Sequence, residues 1–241
     1  MKIKDTYSPN FNKKKRTDSS IKVIVIHYTG MQSEGESLKR LCSPKSKVSS
    51  HFLITRNGKI YRLVKENKIA WHAGESRWGK FKNLNKNSIG IELVNKGHRF
   101  GYQSFEKKQL FSLIKICKIL VKKYKIKKTN LVGHSDIAPL RKIDPGEKFP
   151  WQILAKKNLG IWHNSKIEKL RKFRNIKKLK KDEKKSFIKN LKKIGYFFKS
   201  NNRLLSIKCV KAFQRRFRTE LINGVIDKEC QIIAQNLSKK I

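Results

Sequence analysis

Long apolar runs are missing from this chain of 241 residues. None approaches the ~20 residues that a helical membrane span needs, so such a span is excluded. The start, MKIKDTYSPNFNKKKR, has charge but neither an apolar h-region nor a cleavage site, so no secretory signal is read there. The first cysteine is Cys42, so an early lipid-bearing cysteine is missing too. These absences lead to the expectation of a cytoplasmic protein, with the cell envelope or periplasm as the alternative. The four cysteines, Cys42, Cys117, Cys209 and Cys230, include no CxxC pair, which argues against a thiolate zinc site. Cys117 and Cys230 fall at core spacing in helical patterns, and reduced structural thiols are expected.

Negative charge is scarce: 17 Asp and Glu stand against 60 Lys and Arg, a formal net charge of +43. Such a balance invites a nucleic-acid reading. The basic residues are spread along the whole chain, however, and lysine far outnumbers arginine. Ile and Asn are also abundant, a profile that AT-rich codon usage produces. Lysine is the poorer choice for bidentate recognition of bases or phosphates. No specific nucleic-acid partner is therefore expected, although attraction to acidic glycopeptides is physically reasonable.

What is present suffices for a core, with 38% hydrophobic and 10% aromatic residues. Residues 1–20 read as a polar, loosely held arm. Lys22–His27 reads as a buried strand by its β-branched run. Glu34–Cys42 reads as a short helix. His51–Thr55 and Lys59–Val64 flank Arg56-Asn57-Gly58, a strong hairpin signal because Asn and Gly accept positive φ. Ser88–Asn95 reads as a central strand. Apolar residues at Phe105, Leu110, Leu113, Cys117, Leu120 and Tyr124 predict a helix within Gly101–Tyr124, with Ser104 as N-cap. A last strand is expected near Thr129–Val132. The fold class is α/β, a mixed central β-sheet flanked by helices over residues 21–160. A basic linker follows at 161–185. Residues 186–241 then read as a small independent three-helix bundle, from apolar positions such as Phe187, Leu191, Val210, Phe213, Cys230 and Ile233.

The stretch Gly133–Gly146, GHSDIAPLRKIDPG, concentrates the chemistry. A bend through Ala138-Pro139 and Asp144-Pro145-Gly146 can fold His134 and Asp144 onto one point, with Lys142 beside them. His27 ends a buried strand and His134 follows another, so both can project from one sheet edge. With Asp144 they offer two nitrogens and one oxygen, leaving a fourth tetrahedral position for water. Glu92 lies mid-strand among Ile89, Ile91, Leu93 and Val94, where a carboxylate is costly unless it faces a polar cleft or pairs with a cation.

The segments VIHYTG (25–30), SSHFLITRNGKIYRLV (49–64), WHAGESRWGKFKNLNKNSIGIELVN (71–95) and GHSDIAPLRKIDPGEKFPW (133–151) closely resemble the zinc-dependent N-acetylmuramoyl-L-alanine amidases of the AmpD/AmiD type. These are relatives of peptidoglycan-recognition proteins. The likeness covers roughly residues 20–160, with the segments in the family's order. It implies one Zn²⁺ held by His27, His134 and Asp144. Glu92 matches the family's catalytic glutamate, which positions or deprotonates the attacking water. Lys142 matches the basic residue that stabilises the oxyanion. Trp71, His72 and Ala73 match a segment lining the substrate cleft, and Asn85 lies in the matching NLN. His72 is expected to face substrate rather than metal. His51 is counted with the substrate-binding residues, where it either backs a residue of the site or is simply packed, while His98 and His163 are expected to be exposed.

KNLKKIGY (189–196), SIKCVKAFQRRFR (206–218) and NGVIDKECQIIAQNL (223–237) resemble the three-helix peptidoglycan-binding domain that often follows such an amidase. The dense Lys/Arg linker departs from that pattern, as do Ile222 and Asn223, where the family often has Val-Asp. The implied partner is peptidoglycan or an anhydro-muropeptide, met by a monomer. The implied reaction is hydrolysis of the amide between the lactyl group of N-acetylmuramic acid and L-alanine. A non-catalytic peptidoglycan-recognition protein is the alternative; such relatives typically lack part of the metal set, and here all positions are filled.

Overall fold

The computed structural model describes residues 2–174, 176, 179–199 and 202–241. Two short strands, β1 (Ile3–Asp5) and β2 (Phe11–Asn12), precede the β-branched run of β3 (Val23–Tyr28). Helix α1 (Glu34–Cys42) leads to β4 (Phe52–Ile54) and β5 (Ile60–Arg62). The two-residue strands β6 (Ile69–Ala70), β7 (Arg77–Trp78) and β8 (Phe81–Lys82) come before β9 (Ser88–Leu93) and the long α2 (Lys107–Tyr124). Strand β10 (Leu131–Gly133) runs directly into a short helix, α3 (His134–Ile137). Then follow α4 (Trp151–Lys156), α5 (Ile167–Arg171), α6 (Lys181–Ile194), α7 (Arg203–Phe217) and α8 (Lys228–Ser238). No helix among the described residues is long and apolar enough to cross a membrane.

Six strands form one mixed sheet in the order β1-β5-β4-β9-β3-β10. The β4–β5 hairpin pairs antiparallel, whereas β4, β9, β3 and β10 run parallel. Of the hairpin turn residues, only Gly58 takes a positive φ, of 88°. Side chains alternate across each strand, so the two faces of β3 and β9 bury different partners. Ile24, Ile26, Ile89, Ile91 and Leu93 pack against Leu113, Ile116, Cys117 and Leu120 of α2. On the opposite face β9 carries Ser88, Gly90 and Glu92, beside Val23, Val25 and His27 of β3. The Glu92 position is thus the open end of a small, polar stripe rather than an intrusion into an apolar run.

Four expectations need correction. The first is the loose arm at residues 1–20. β1 pairs with β5 and β2 with β6, while Ser8 and Asn10 are buried. The arm is tied down by polar bonds: Asn10 Nδ2 donates to the carbonyls of Ser43 and Val48, both at 2.8 Å. Arg16 spans the carbonyls of Glu66, Asn85 and Ser88. The second is the start of α2. Its N-cap is Glu106, in extended conformation, and Ser104 lies before it with its carbonyl accepting from Arg56.

The third is the independence of the bundle and its linker. Leu170 and Leu179 are buried, and Arg174 pairs with Glu220 and Glu229. Val23, Val25 and Val132 of the sheet share one apolar cluster with Leu191, Val210, Phe213 and Leu237. The bundle therefore covers the sheet face opposite α2. The fourth is His163, which is buried and stacked on Trp162 with ring centroids 4.9 Å apart. His98 is exposed. All four cysteines are free thiols, and Cys117, Cys209 and Cys230 are buried.

Candidate active site

Strand register assembles the site. His27 of β3 lies opposite Glu92 of β9, and Gly133 of β10 lies opposite Ile26. His134, one residue on, therefore emerges beside His27 at the carboxyl ends of three parallel strands, where open α/β sheets place ligands. The Pro-rich return from Ala138 closes when the Ser135 amide donates to the Asp144 carbonyl at 2.8 Å. That bond brings the Asp144 carboxylate over both imidazoles.

The three donors converge closely. Nδ1 of His27 is 2.9 Å from Nδ1 of His134 and 3.1 Å from Oδ2 of Asp144. Nδ1 of His134 is 3.2 Å from the same oxygen. All three residues are buried. Nε2–H of His134 donates to the Ala73 carbonyl at 3.2 Å, which leaves its Nδ1 as a lone pair facing the centre. Burial, then the neighbouring His134, push the His27 imidazole down to about 4, so it is neutral near pH 7. Burial opposes ionisation of Asp144, but the imidazoles of His134 and His27 outweigh it and hold the carboxyl far below the usual range.

Two nitrogen lone pairs and a carboxylate oxygen are donors that zinc favours. A tetrahedral ion with bonds of about 2.0–2.1 Å needs donors roughly 3.3 Å apart, close to the spacing here. The residues present fit the metal.

Glu92 stands at the edge of this cluster. Its Oε2 is buried and has no hydrogen-bond partner among the described residues. Burial pushes its carboxyl up to about 8, with the charge of Asp144 adding to the rise and Lys142 opposing it. An ionisable group poised near neutral pH in a cleft is a candidate proton carrier. Glu92 and Lys142 line the same cavity of about 330 Å³ as the three donors, together with Tyr28, Trp71 and Arg141.

The residues expected along the substrate cleft divide into two groups. Trp71 lines the cavity, with its indole N–H donating to Asn12 of the arm at 2.7 Å. His72 also borders it, but the ring is buried between His27 and Ser88, so the expectation of a substrate-facing side chain is corrected. Ala73 is buried, and its carbonyl accepts from His134 and Arg141. Asn85 braces the main chain, its Oδ1 accepting from the amides of His72 and Ala73 at 3.1 and 2.7 Å. His51 lies away from the cavity, with Nδ1 accepting from the Gly90 amide and Arg16 close to Nε2. Burial and the Arg16 charge hold its ring neutral.

Sequence reasoning overlooked Ser88, Gly90 and Arg141. A glycine inside a buried strand was the available signal, since it marks close approach by another group. A Cβ on Gly90 would lie 2.5 Å from Cγ of His72.

Residues 17–147 match the N-acetylmuramoyl-L-alanine amidase family profile. The chain is 39% identical to the N-acetylmuramoyl-L-alanine amidase AmiD of Escherichia coli, covering 91% of this chain and 83% of that protein. It is 37% identical to the 1,6-anhydro-N-acetylmuramyl-L-alanine amidase AmpD of Haemophilus influenzae, over 60% of this chain and 86% of that one. Among solved structures, E. coli AmiD in complex with the substrate anhydro-N-acetylmuramic acid-L-Ala-D-gamma-Glu-L-Lys superposes with a TM-score of 0.79 at 37% identity, covering 92% of this chain and 90% of that one. AmpDh3 of Pseudomonas aeruginosa superposes with a TM-score of 0.81 at 29% identity, covering 96% of each chain. The chain belongs to the N-acetylmuramoyl-L-alanine amidase family.

Proposed function

We propose that this chain hydrolyses the amide between the lactyl group of N-acetylmuramic, or anhydro-N-acetylmuramic, acid and L-alanine, with one zinc ion held by His27, His134 and Asp144. The observation that carries the reading is the convergence of those three donors within 3.2 Å beside Glu92, whose buried Oε2 has no hydrogen-bond partner among the described residues. Zinc in that position supplies a Lewis acid that polarises the amide carbonyl and makes water more acidic. Glu92 orients the attacking water, takes its proton and passes it to the leaving amine of L-alanine. Lys142 neutralises the oxygen that becomes negative as the carbonyl carbon turns tetrahedral. Trp71 and Tyr28 offer apolar walls to the muropeptide.

The experiment pairs zinc content with release of free L-alanyl peptide from an anhydro-muropeptide. Glu92→Gln should keep one zinc per chain and lose at least 10²-fold in turnover, the lower end of what a general base contributes. Wild-type turnover in that variant would reject Glu92 as the base. Assaying intact sacculi beside the soluble muropeptide tells whether the bundle, which resembles a peptidoglycan-binding module, directs the chain to polymer.

A further inference from the structure

Behind His27 lies a chain of hydrogen bonds that the hydrolytic steps do not use. Ser88 Oγ is 2.5 Å from the carbonyl of Leu84. A carbonyl only accepts, so the hydroxyl proton of Ser88 is committed there. The same oxygen lies 3.1 Å from Nε2 of His72 and must accept from it. A neutral His72 protonated on Nε2 presents a lone pair at Nδ1, and that atom is 3.0 Å from Nε2 of His27. The proton of His27 therefore sits on Nε2, and its Nδ1 is left bare toward His134 and Asp144. Four groups in series, each with one choice, thus set the tautomer of one ring.

The surroundings hold His72 where this works. Its backbone amide is tied to Asn85, and its ring lies against Gly90, at the one position of the polar stripe on β9 that has no side chain.

We propose that His72, backed by Ser88, is a positioning residue that locks His27 in the tautomer whose Nδ1 can ligate a metal ion. This rests on the reading of His27, His134 and Asp144 as a zinc site. Outer-shell partners of this kind are worth about 10–100-fold in metal affinity.

The test is zinc affinity of the full chain, measured by competition with a chromogenic chelator after metal removal, with near-UV circular dichroism reporting folding. His72→Phe fills the space without an acceptor and should weaken zinc binding ~10–100-fold. His72→Asn restores an acceptor oxygen toward His27 and should recover most of that loss. Ser88→Ala should weaken binding by a smaller factor in the wild-type background and by nothing further in the His72→Phe background, because Ser88 acts through His72. Cobalt(II) at saturating concentration should give the same visible spectrum in wild type and Ser88→Ala, since the ligand set is unchanged.

A folded His72→Phe variant with wild-type zinc affinity overturns the proposal. So does a Ser88→Ala effect that persists undiminished in the double variant. Should His72→Phe fail to fold, Ser88→Ala with wild-type affinity overturns it equally. A wild-type chain that takes up no zinc rejects the metal-site reading and the proposal together. A zinc-replete wild type with indifferent variants rejects the proposal alone.

Discussion

Arg216 of α7 pairs with Asp136 of α3 at 2.7 Å, with side chains only 2% and 1% exposed. Asp136 is fully engaged: Oδ2 also accepts from the Gly133 amide at 2.8 Å, and Oδ1 from the Tyr196 hydroxyl at 2.6 Å. The second guanidinium nitrogen of Arg216 reaches the Leu131 carbonyl at 2.9 Å. Residues of the C-terminal bundle therefore grip both ends of the turn that presents His134.

Removing one partner of a buried pair leaves an uncompensated charge, which costs about 3–5 kcal/mol. Arg216→Met should lose that much in urea denaturation. Trp78 and Trp162 pack against Tyr196 and Phe217, so tryptophan fluorescence reports the seam between sheet and bundle, while far-UV circular dichroism reports the helices on both sides of it. With a shared core the two probes should trace one coincident transition. Two separated transitions would contradict the continuity of that core.

Glu92 makes stability depend on pH in the metal-free chain. Its folded carboxyl titrates at about 8, against 4.5 in the unfolded chain. Between those values the folded state keeps a proton that the unfolded state has lost, so the Glu92 contribution to stability falls as pH rises through this window. Urea midpoints in chelator from pH 5 to 8 should decline more steeply for wild type than for Glu92→Gln. Equal slopes would show that Glu92 is not desolvated.

Gly90→Ala places a methyl group against the His72 ring. Overpacking of a filled interior costs about 1–3 kcal/mol. A lowered thermal midpoint and weaker zinc binding should appear together, because the displaced ring is the one that faces His27. A stable variant with unchanged zinc affinity would mean that the strand yields instead of the ring.

Zinc at 100 times its dissociation constant should stabilise the chain by about 2.7 kcal/mol. Adding a chelator should therefore lower the unfolding midpoint of the wild type. Asp144→Ala, which lacks one of three donors, should show little or no zinc-dependent shift. A full shift in that variant would place the metal elsewhere.

Much of the sheet could be read from local pattern. The β-branched run of β3, the hairpin around Gly58 and the apolar periodicity of α2 are strong one-dimensional signals. The candidate ligands were legible because His27 and His134 follow such runs directly. Register was not legible, and register decides which side chains meet. Nothing in Ile3-Lys4-Asp5 announces a strand; it becomes one because the exposed edge of β5 accepts it. The orientation of His72 depends on the missing Cβ of Gly90, which matters only once β9 lies beneath the ring. Likewise the apolar faces of α6 to α8 could be read, but not that Val25 and Val132 are among the residues they cover.

His27 and His134 are separated by 107 residues, and β3, which carries His27, neighbours β10, which ends just before His134. Contacts so distant in sequence carry a loop-closure cost that must be met before the reward arrives. A metal held by these donors therefore could not organise an early part of the chain, as it does in small zinc-nucleated domains. β3, β9 and β10 must already be aligned, with the return from Ala138 to Asp144 closed over them, before three donors face one another. On the proposed zinc reading, metal uptake during refolding should lag behind formation of the sheet, and a bound ion would be a witness that assembly is complete.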